Sequence, residues 1–288
     1  MPVVESLRIL LVGATGRVGQ LALHHLRGMP PACIEIIEQH RDPDRKEGFF
    51  WSLQEPLDDR LAAQHVDAII CLAGVIPGPG ADLAQNALLA EAVLGAAHRA
   101  GIGRVLLASS SAVYGAGDGT PFSETDATVP VNAYGEAKLA MEQVCVPWRE
   151  AGLDVCCLRI GNVAGADALL LNVALASMEK LLIIDRFSDM GGPVRSYIGG
   201  DTLADVLCEL VKSPESLPYI LNIATPNVVL LEDLARAAGK PYIFRAAPVG
   251  AHQRITLNCN RLAARYAFAA DAGDPVRLVT KWKETMHI

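Results

Sequence analysis

Short, unbroken apolar runs alternate with longer segments of helical spacing through the first half of the chain. Residues 8–12 (RILLV) form such a run and end at Gly13, after which residues 17–27 carry helical periodicity. A strand that feeds a helix through glycines is the start of a βα unit. Residues 34–37 read as the next strand, followed by the polar, proline-broken stretch 39–45, and residues 49–51 (FFW) as a third. Residues 68–73 and 104–109 are continuous apolar runs of strand length, the pattern of strands buried on both faces of a parallel sheet. Between them, residues 82–100 are rich in Ala and Leu and close at Gly101, as a crossover helix should. A helical segment around Tyr134 then leads through Gly152 to the run 154–160.

This alternation predicts an α/β fold, a doubly wound parallel sheet of Rossmann type. It weakens after Gly161, where helices are expected over 167–182, 202–212, 231–238 and 260–266, a glycine-containing loop over 186–193 and a strand over 219–224. No internal repeat, low-complexity segment or linker interrupts the chain. The expected organisation is a dinucleotide-binding domain of residues 1–165 and 195–225, with a small discontinuous substrate cap of residues 166–194 and 226–288.

Composition narrows the class without changing that picture. The 288 residues are 51% hydrophobic and 20% charged, the balance of a globular protein with a sizeable core. A net charge of −7 argues against a nucleic-acid or anionic-membrane partner, since both need basic surface. Seven cysteines at irregular spacings, several inside apolar runs, read as buried thiols in a reducing compartment. There is no CxxC, and adjacent His24 and His25 cannot both face one ion, so no metal is expected. The first apolar run begins too near Met1 for a signal peptide, and no run reaches the ~20 residues of a membrane span, so a cytoplasmic location is expected.

Three stretches carry candidate chemistry. Gly13-Ala14-Thr15-Gly16-Arg17-Val18-Gly19 lies between the first strand and the first helix, where glycines let the backbone approach a pyrophosphate and the helix offers it unpaired N–H groups. Ser109-Ser110-Ser111 follows a strand and so sits at the carboxyl edge of the sheet, where open α/β sheets bind ligands. Most of these serines are expected to satisfy loose backbone groups at the turn. Tyr134 and Lys138 are spaced i, i+4 and share a helix face, and an ammonium beside a phenol favours the phenolate.

Taken together, GATGRVG, the strand-end Leu72-Ala73-Gly74, Asn86, SSSAVYG, YGEAK and Arg159-Ile160-Gly161-Asn162-Val163-Ala164-Gly165 resemble the extended short-chain dehydrogenase/reductases, specifically the NAD(P)-dependent epimerase/dehydratase branch. The resemblance covers about residues 7–224, with the motifs in the family's order. It implies that Tyr134 is the general acid/base, that Lys138 lowers its pKa and binds the nicotinamide ribose, and that Ser110 orients the reacting oxygen, with Ser111 as runner-up. It implies hydride transfer between a carbinol carbon and the nicotinamide, coupled to proton transfer through Tyr134. The cofactor would rest on Gly13, Thr15, Gly16, Arg17, Val18, Gly19, Leu72, Ala73 and Gly74. Glu38 at the second strand would accept the ribose hydroxyls of NAD, whereas Arg41 would pair with the 2′-phosphate of NADP; the RDP of residues 41–43 tilts the expectation slightly to NADP. The usual acidic residue after the third strand is replaced by Trp51-Ser52-Leu53.

Ser111, Asn162 and Arg195 are the expected substrate contacts, Arg195 lying where sugar-nucleotide members place an arginine near the diphosphate. The short stretch between Gly165 and Arg195 also suits a smaller sugar-like substrate. The expected function is therefore an NAD(P)-dependent oxidoreductase or epimerase acting on a hydroxyl or keto carbon of a sugar-like or sugar-nucleotide substrate. The alternative is a silent NAD(P)-sensing protein on the same fold. A homodimer is implied by the family, through the helix of residues 82–100 and the helix bearing Tyr134.

Overall fold

The computed structural model describes residues 6–29, 34–53, 60–175 and 181–286. Strand β1 (Leu7–Val12) turns into α1 (Arg17–Arg27), followed by β2 (Ile34–His40) and β3 (Phe49–Phe50). β4 (Ala68–Cys71) leads to α2 (Gln85–Ala100), β5 (Arg104–Ser110) to α3 (Ala133–Glu150), and β6 (Asp154–Ile160) to β7 (Asn162–Val163) and α4 (Ala168–Leu175). The rest comprises β8 (Leu182–Arg186), β9 (Val194–Ile198), α5 (Gly200–Lys212), β10 (Ile220–Ile223), β11 (Val228–Leu230), α6 (Leu231–Ala237), β12 (Tyr242–Ala246), β13 (Arg254–Ile255), α7 (Asn260–Ala263) and α8 (Pro275–Glu284).

Seven parallel strands in the order β3-β2-β1-β4-β5-β6-β10 make the central sheet. The order reverses between β1 and β4, which opens a crevice at their carboxyl ends. Period-two alternation then splits the core. Ile9, Leu11, Ile70 and Leu106 pack beside α1 and α5, while Leu10, Val12, Ile69, Val105 and Leu107 pack beside α2 and α3. The doubly wound expectation is met, and the six described cysteines are buried free thiols; Cys33 lies outside the described residues.

Local differences have physical reasons. The helix expected over 167–182 ends, among described residues, at Leu175; residues 176–180 lie outside them, and Leu182 opens β8, which pairs in parallel with β12. Alternation decides it: Leu182 and Ile184 are buried with Ala235, whereas Ile183 between them is exposed. β2 runs to His40 rather than stopping at Ile37, because buried Gln39 is hydrogen-bonded at both ends of its amide. Helix α8 was not expected, although its signals are in the sequence: Asp274 caps it, Pro275 opens it, and Leu278, Val279 and Trp282 form its buried stripe. β9 is a further strand outside the expected pattern, and it joins β7, β11 and β13 in a small sheet beside the crevice.

Arg104 ties the foot of this assembly together. Its Nε donates to Asp154 Oδ2 at 2.9 Å, and its Nη groups donate to the carbonyls of Leu210 and Val211 in the last turn of α5 and of Ser213 and Glu215 just past it. Replacing it removes one of the two ion pairs of Asp154, which keeps Arg149, and leaves the last carbonyls of α5 without their donor. Arg104→Ala is expected to cost about 2–3 kcal/mol, measurable as a lower urea midpoint.

Candidate active site

The glycine turn is built by close approach. Gly13 has φ +83°, and a Cβ there would sit 2.4 Å from the backbone nitrogen of Ala73; one on Gly19 would sit 2.1 Å from the carbonyl oxygen of Gly13. Only glycine permits either contact. Gly16 stands at the N-cap of α1 with no side-chain cap and no acidic residue in the first turn, while Thr15, Gly16 and Arg17 are exposed. The N–H groups of that turn are therefore left for an external anion, and the cradle fits a dinucleotide pyrophosphate.

A cavity of about 490 Å³ lies beside it, lined by Arg17, Val18, Leu72, Gly74, Ser110, Tyr134, Lys138 and Asn162 among others. Residues from five separate segments thus meet at the crevice, including all three candidates for proton transfer. Asn132 caps α3 by accepting from the Gly135 N–H at 2.9 Å, and a Cβ on Gly135 would lie 2.5 Å from the Ala112 carbonyl. That tight seat presses the start of α3 onto the serine turn and sets Tyr134 opposite Ser110.

Burial raises the Tyr134 phenol above its ordinary pKa, and the hydrogen bond with Ser110 pulls it partly back. Burial lowers the Lys138 ammonium, opposed by Cys71, Cys157 and Glu142. Lys138 Nζ donates to the Ala108 carbonyl at 2.9 Å and passes so near Gly74 that a Cβ there would lie 2.9 Å from it. Asn86 fixes the other side of that loop: its Oδ1 accepts from Val75 N–H and its Nδ2 donates to the Val75 carbonyl. Ser109 is turned away and donates to Glu142 Oε1 at 2.6 Å.

A second cavity of about 250 Å³ shares Ser110 and Asn162 with the first and is lined also by Ser111, Asn132, Arg195 and Ser196. Arg195 donates to the carbonyls of Val194, His252 and Gln253, and burial lowers its pKa. Among the described residues no carboxylate forms an ion pair with it, so its charge faces a polar pocket.

Glu38 and Arg41 do not line either cavity. Glu38 pairs with Arg27 and Arg45, and Arg41 is exposed just past β2. Gln39 instead reaches the glycine turn, its Oε1 accepting from the Gly13 N–H at 3.2 Å while its Nε2 donates to the Trp51 carbonyl at 2.6 Å. A polar residue just beyond an apolar strand was the available signal. Asp167 was also missed: it borders the larger cavity, accepts from Tyr197 Oη at 3.1 Å and from the Leu169 N–H at 2.9 Å, and burial raises its pKa. Among the described residues no group of three or more His, Cys, Asp or Glu could hold a metal, and no helix is long and apolar enough to cross a membrane.

A reversed parallel sheet, a glycine cradle at its crevice and a Ser/Tyr/Lys cluster over it define a Rossmann-type nucleotide-dependent enzyme. Residues 9–224 match the profile of the NAD dependent epimerase/dehydratase family. The chain belongs to that family, of the extended short-chain dehydrogenase/reductase type. It is 36% identical over 181 residues to the UDP-glucose 4-epimerase of Azospirillum brasilense, a match spanning 56% of this chain and 51% of that enzyme, about half its length. Over 298 aligned residues, 91% of each chain, it is 27% identical to the UDP-glucose 4-epimerase of Rhizobium meliloti (strain 1021). Its fold superposes on that of MoeE5 in complex with UDP-glucuronic acid and NAD with a TM-score of 0.76 at 22% identity, covering 97% of this chain and 99% of the other.

Proposed function

We propose that the protein epimerises a hydroxyl-bearing carbon in the hexose of a nucleoside-diphosphate sugar, by oxidation and re-reduction at one site. The observation that carries this reading is the convergence of Ser110, Tyr134 and Lys138 on the cavity beside the glycine turn. Tyr134 takes the hydroxyl proton as the carbon is oxidised and returns it to the same oxygen when the carbon is re-reduced from its opposite face, Ser110 holds the reacting oxygen, and Lys138 supplies the positive charge that favours the phenolate.

The pyrophosphate of the dinucleotide would lie on Gly13, Thr15, Gly16 and Gly19, flanked by Arg17 and Val18, with Leu72, Ala73 and Gly74 along the adjoining strand end. A bound nicotinamide supplies the acceptor and donor of the hydride. We read the dinucleotide as NAD, against the lean toward NADP drawn from Arg41. The matching family is NAD dependent, and Arg41 lines neither cavity beside the glycine turn.

Ser111, Asn162 and Arg195 belong to the substrate side, where a guanidinium with no carboxylate partner among the described residues suits a diphosphate. The cap of residues 166–194 and 226–288 is part of the same proposal, although α8 packs its Leu278 and Trp282 into the main core. So is a homodimer on the α2 and α3 faces; Leu88 of α2 is 60% exposed, an apolar side chain that a second copy would cover.

Purified protein incubated with UDP-glucose or UDP-galactose, with sugars followed by NMR and the nicotinamide by absorbance, tests the reading. Interconversion with no net change in absorbance is expected. A stoichiometric rise would make the protein a dehydrogenase, and dinucleotide binding without turnover would favour the sensing alternative.

A further inference from the structure

Arg159 belongs to the RIGNVAG motif but has no part in the proton relay, and its contacts lead back to the helix that carries Tyr134 and Lys138. It is a register partner of Ser109 on the neighbouring strand. Alternation places both side chains on the sheet face covered by α3. There they share one carboxylate. Ser109 Oγ donates to Glu142 Oε1 at 2.6 Å, Arg159 Nε to the same oxygen at 3.0 Å, and Arg159 Nη2 to Oε2 at 2.8 Å. Glu142 and Arg159 are both buried.

A buried ion pair contributes little net stability compared with apolar side chains of the same volume, because desolvation offsets the attraction. What the arrangement fixes is register. Glu142 follows Lys138 by one helical turn, so α3 is fastened to consecutive residues of β5: Lys138 on the Ala108 carbonyl and Glu142 on the Ser109 hydroxyl. The next residue along the strand is Ser110, which faces Tyr134.

The fastening continues toward the cap. The Arg159 guanidinium lies 4.6 Å from the Tyr114 ring centroid, Tyr114 Oη donates to Asn222 Oδ1 at 2.7 Å, and Asn222 Nδ2 donates to the carbonyls of Phe122 and Asn258.

We propose that Glu142 is a positioning residue of the active site: clamped by Ser109 and Arg159, it sets the helix bearing Tyr134 and Lys138 in register with the strand end bearing Ser110. This rests on the functional reading above for the roles of those three residues. The charge of Glu142 acts in addition. The groups facing Lys138 are Cys71 from β4, Cys157 from β6, and Glu142 on its own helix. Burial pushes Cys71 up to about 11, and the hydrogen bond with Cys145 together with burial raises Cys157 well above its ordinary value, so below about pH 10 both thiols stay neutral and Glu142 is the carboxylate that supports the ammonium. Without it, Arg159 is left uncompensated and Lys138 loses its proton at lower pH.

The test uses Glu142→Gln, Arg159→Met, the double variant and Tyr134→Phe, with thermal melts, the pH dependence of NADH affinity by fluorescence, and turnover of the sugar nucleotide. Glu142→Gln is expected to lower kcat by about ten- to hundredfold with little change in the KM of the sugar, the size of effect that a small misplacement of reacting groups produces. Its NADH affinity should break at a lower pH than in wild type. The double variant should recover the melting temperature, since neither charge is stranded, but not kcat.

Recovery of kcat together with melting temperature, or NADH profiles that superimpose on wild type, would overturn the proposal and leave the pair a packing element. The NADH titration needs no substrate, so it reads the positioning role even if the sugar nucleotide is wrong. Full turnover by Tyr134→Phe, or no NADH binding by wild type, would instead defeat the underlying functional reading, and the proposal with it.

Discussion

Tyr134→Phe is expected to lower turnover by about 10²–10⁴-fold, the usual contribution of a positioned general acid/base, while dinucleotide affinity stays essentially unchanged. The phenyl ring keeps the volume and packing of the half-buried side chain and removes only the hydroxyl that faces Ser110. Burial raises the pKa of that hydroxyl. Turnover should therefore depend on pH through that phenol, which must be ionised to take the hydroxyl proton and protonated to give it back, and this dependence should vanish in the variant. The measurement is kcat across pH for both proteins, with NAD affinity by calorimetry. A variant that retains turnover would remove Tyr134 from the chemistry, and one that also loses NAD affinity would make its role structural.

Gly13→Ala is expected to weaken dinucleotide binding by at least about 100-fold, roughly 2.7 kcal/mol. Two costs combine. At φ +83° an alanine is strained by about 1–3 kcal/mol, and its Cβ would lie 2.4 Å from the Ala73 backbone nitrogen, which no side-chain rotation relieves. Either the turn or the end of β4 must move, and both border the cradle. Calorimetric titration with NAD checks the affinity, and circular dichroism checks that the sheet survives. Binding at wild-type strength by a folded variant would show that the cradle lies elsewhere.

The two variants bear on features that were legible to different degrees. The glycine spacing could be read because it follows directly from an apolar run and precedes helical periodicity, so strand, turn and helix announce one another locally. Tyr134 and Lys138 were legible for the same reason, since i, i+4 on one helix is a local relation. The pairing of Ser110 with Tyr134 rested on resemblance, because the two come from different elements.

Glu38 shows the limit. It was expected to address the ribose as the acid nearest the end of the second strand, but the strand runs two residues further and pleating turns adjacent side chains to opposite faces. Gln39 therefore reaches the glycine turn and Glu38 meets Arg27 and Arg45. Where the strand ends decides which residue meets the glycine turn.

By itself the sequence determined the doubly wound sheet, the glycine turn and the helix that presents Tyr134 and Lys138 on one face, all of them products of short-range periodicity and backbone sterics. Only the tertiary structure decided that Ser109 serves Glu142 while Ser110 faces Tyr134, that Arg159 completes that clamp from the next strand, and that residues 182–186 form a strand paired with β12. Those outcomes depend on which face of one element meets another across long stretches of chain. That is settled by burial of side chains from distant segments and by the need of each buried polar atom for a partner.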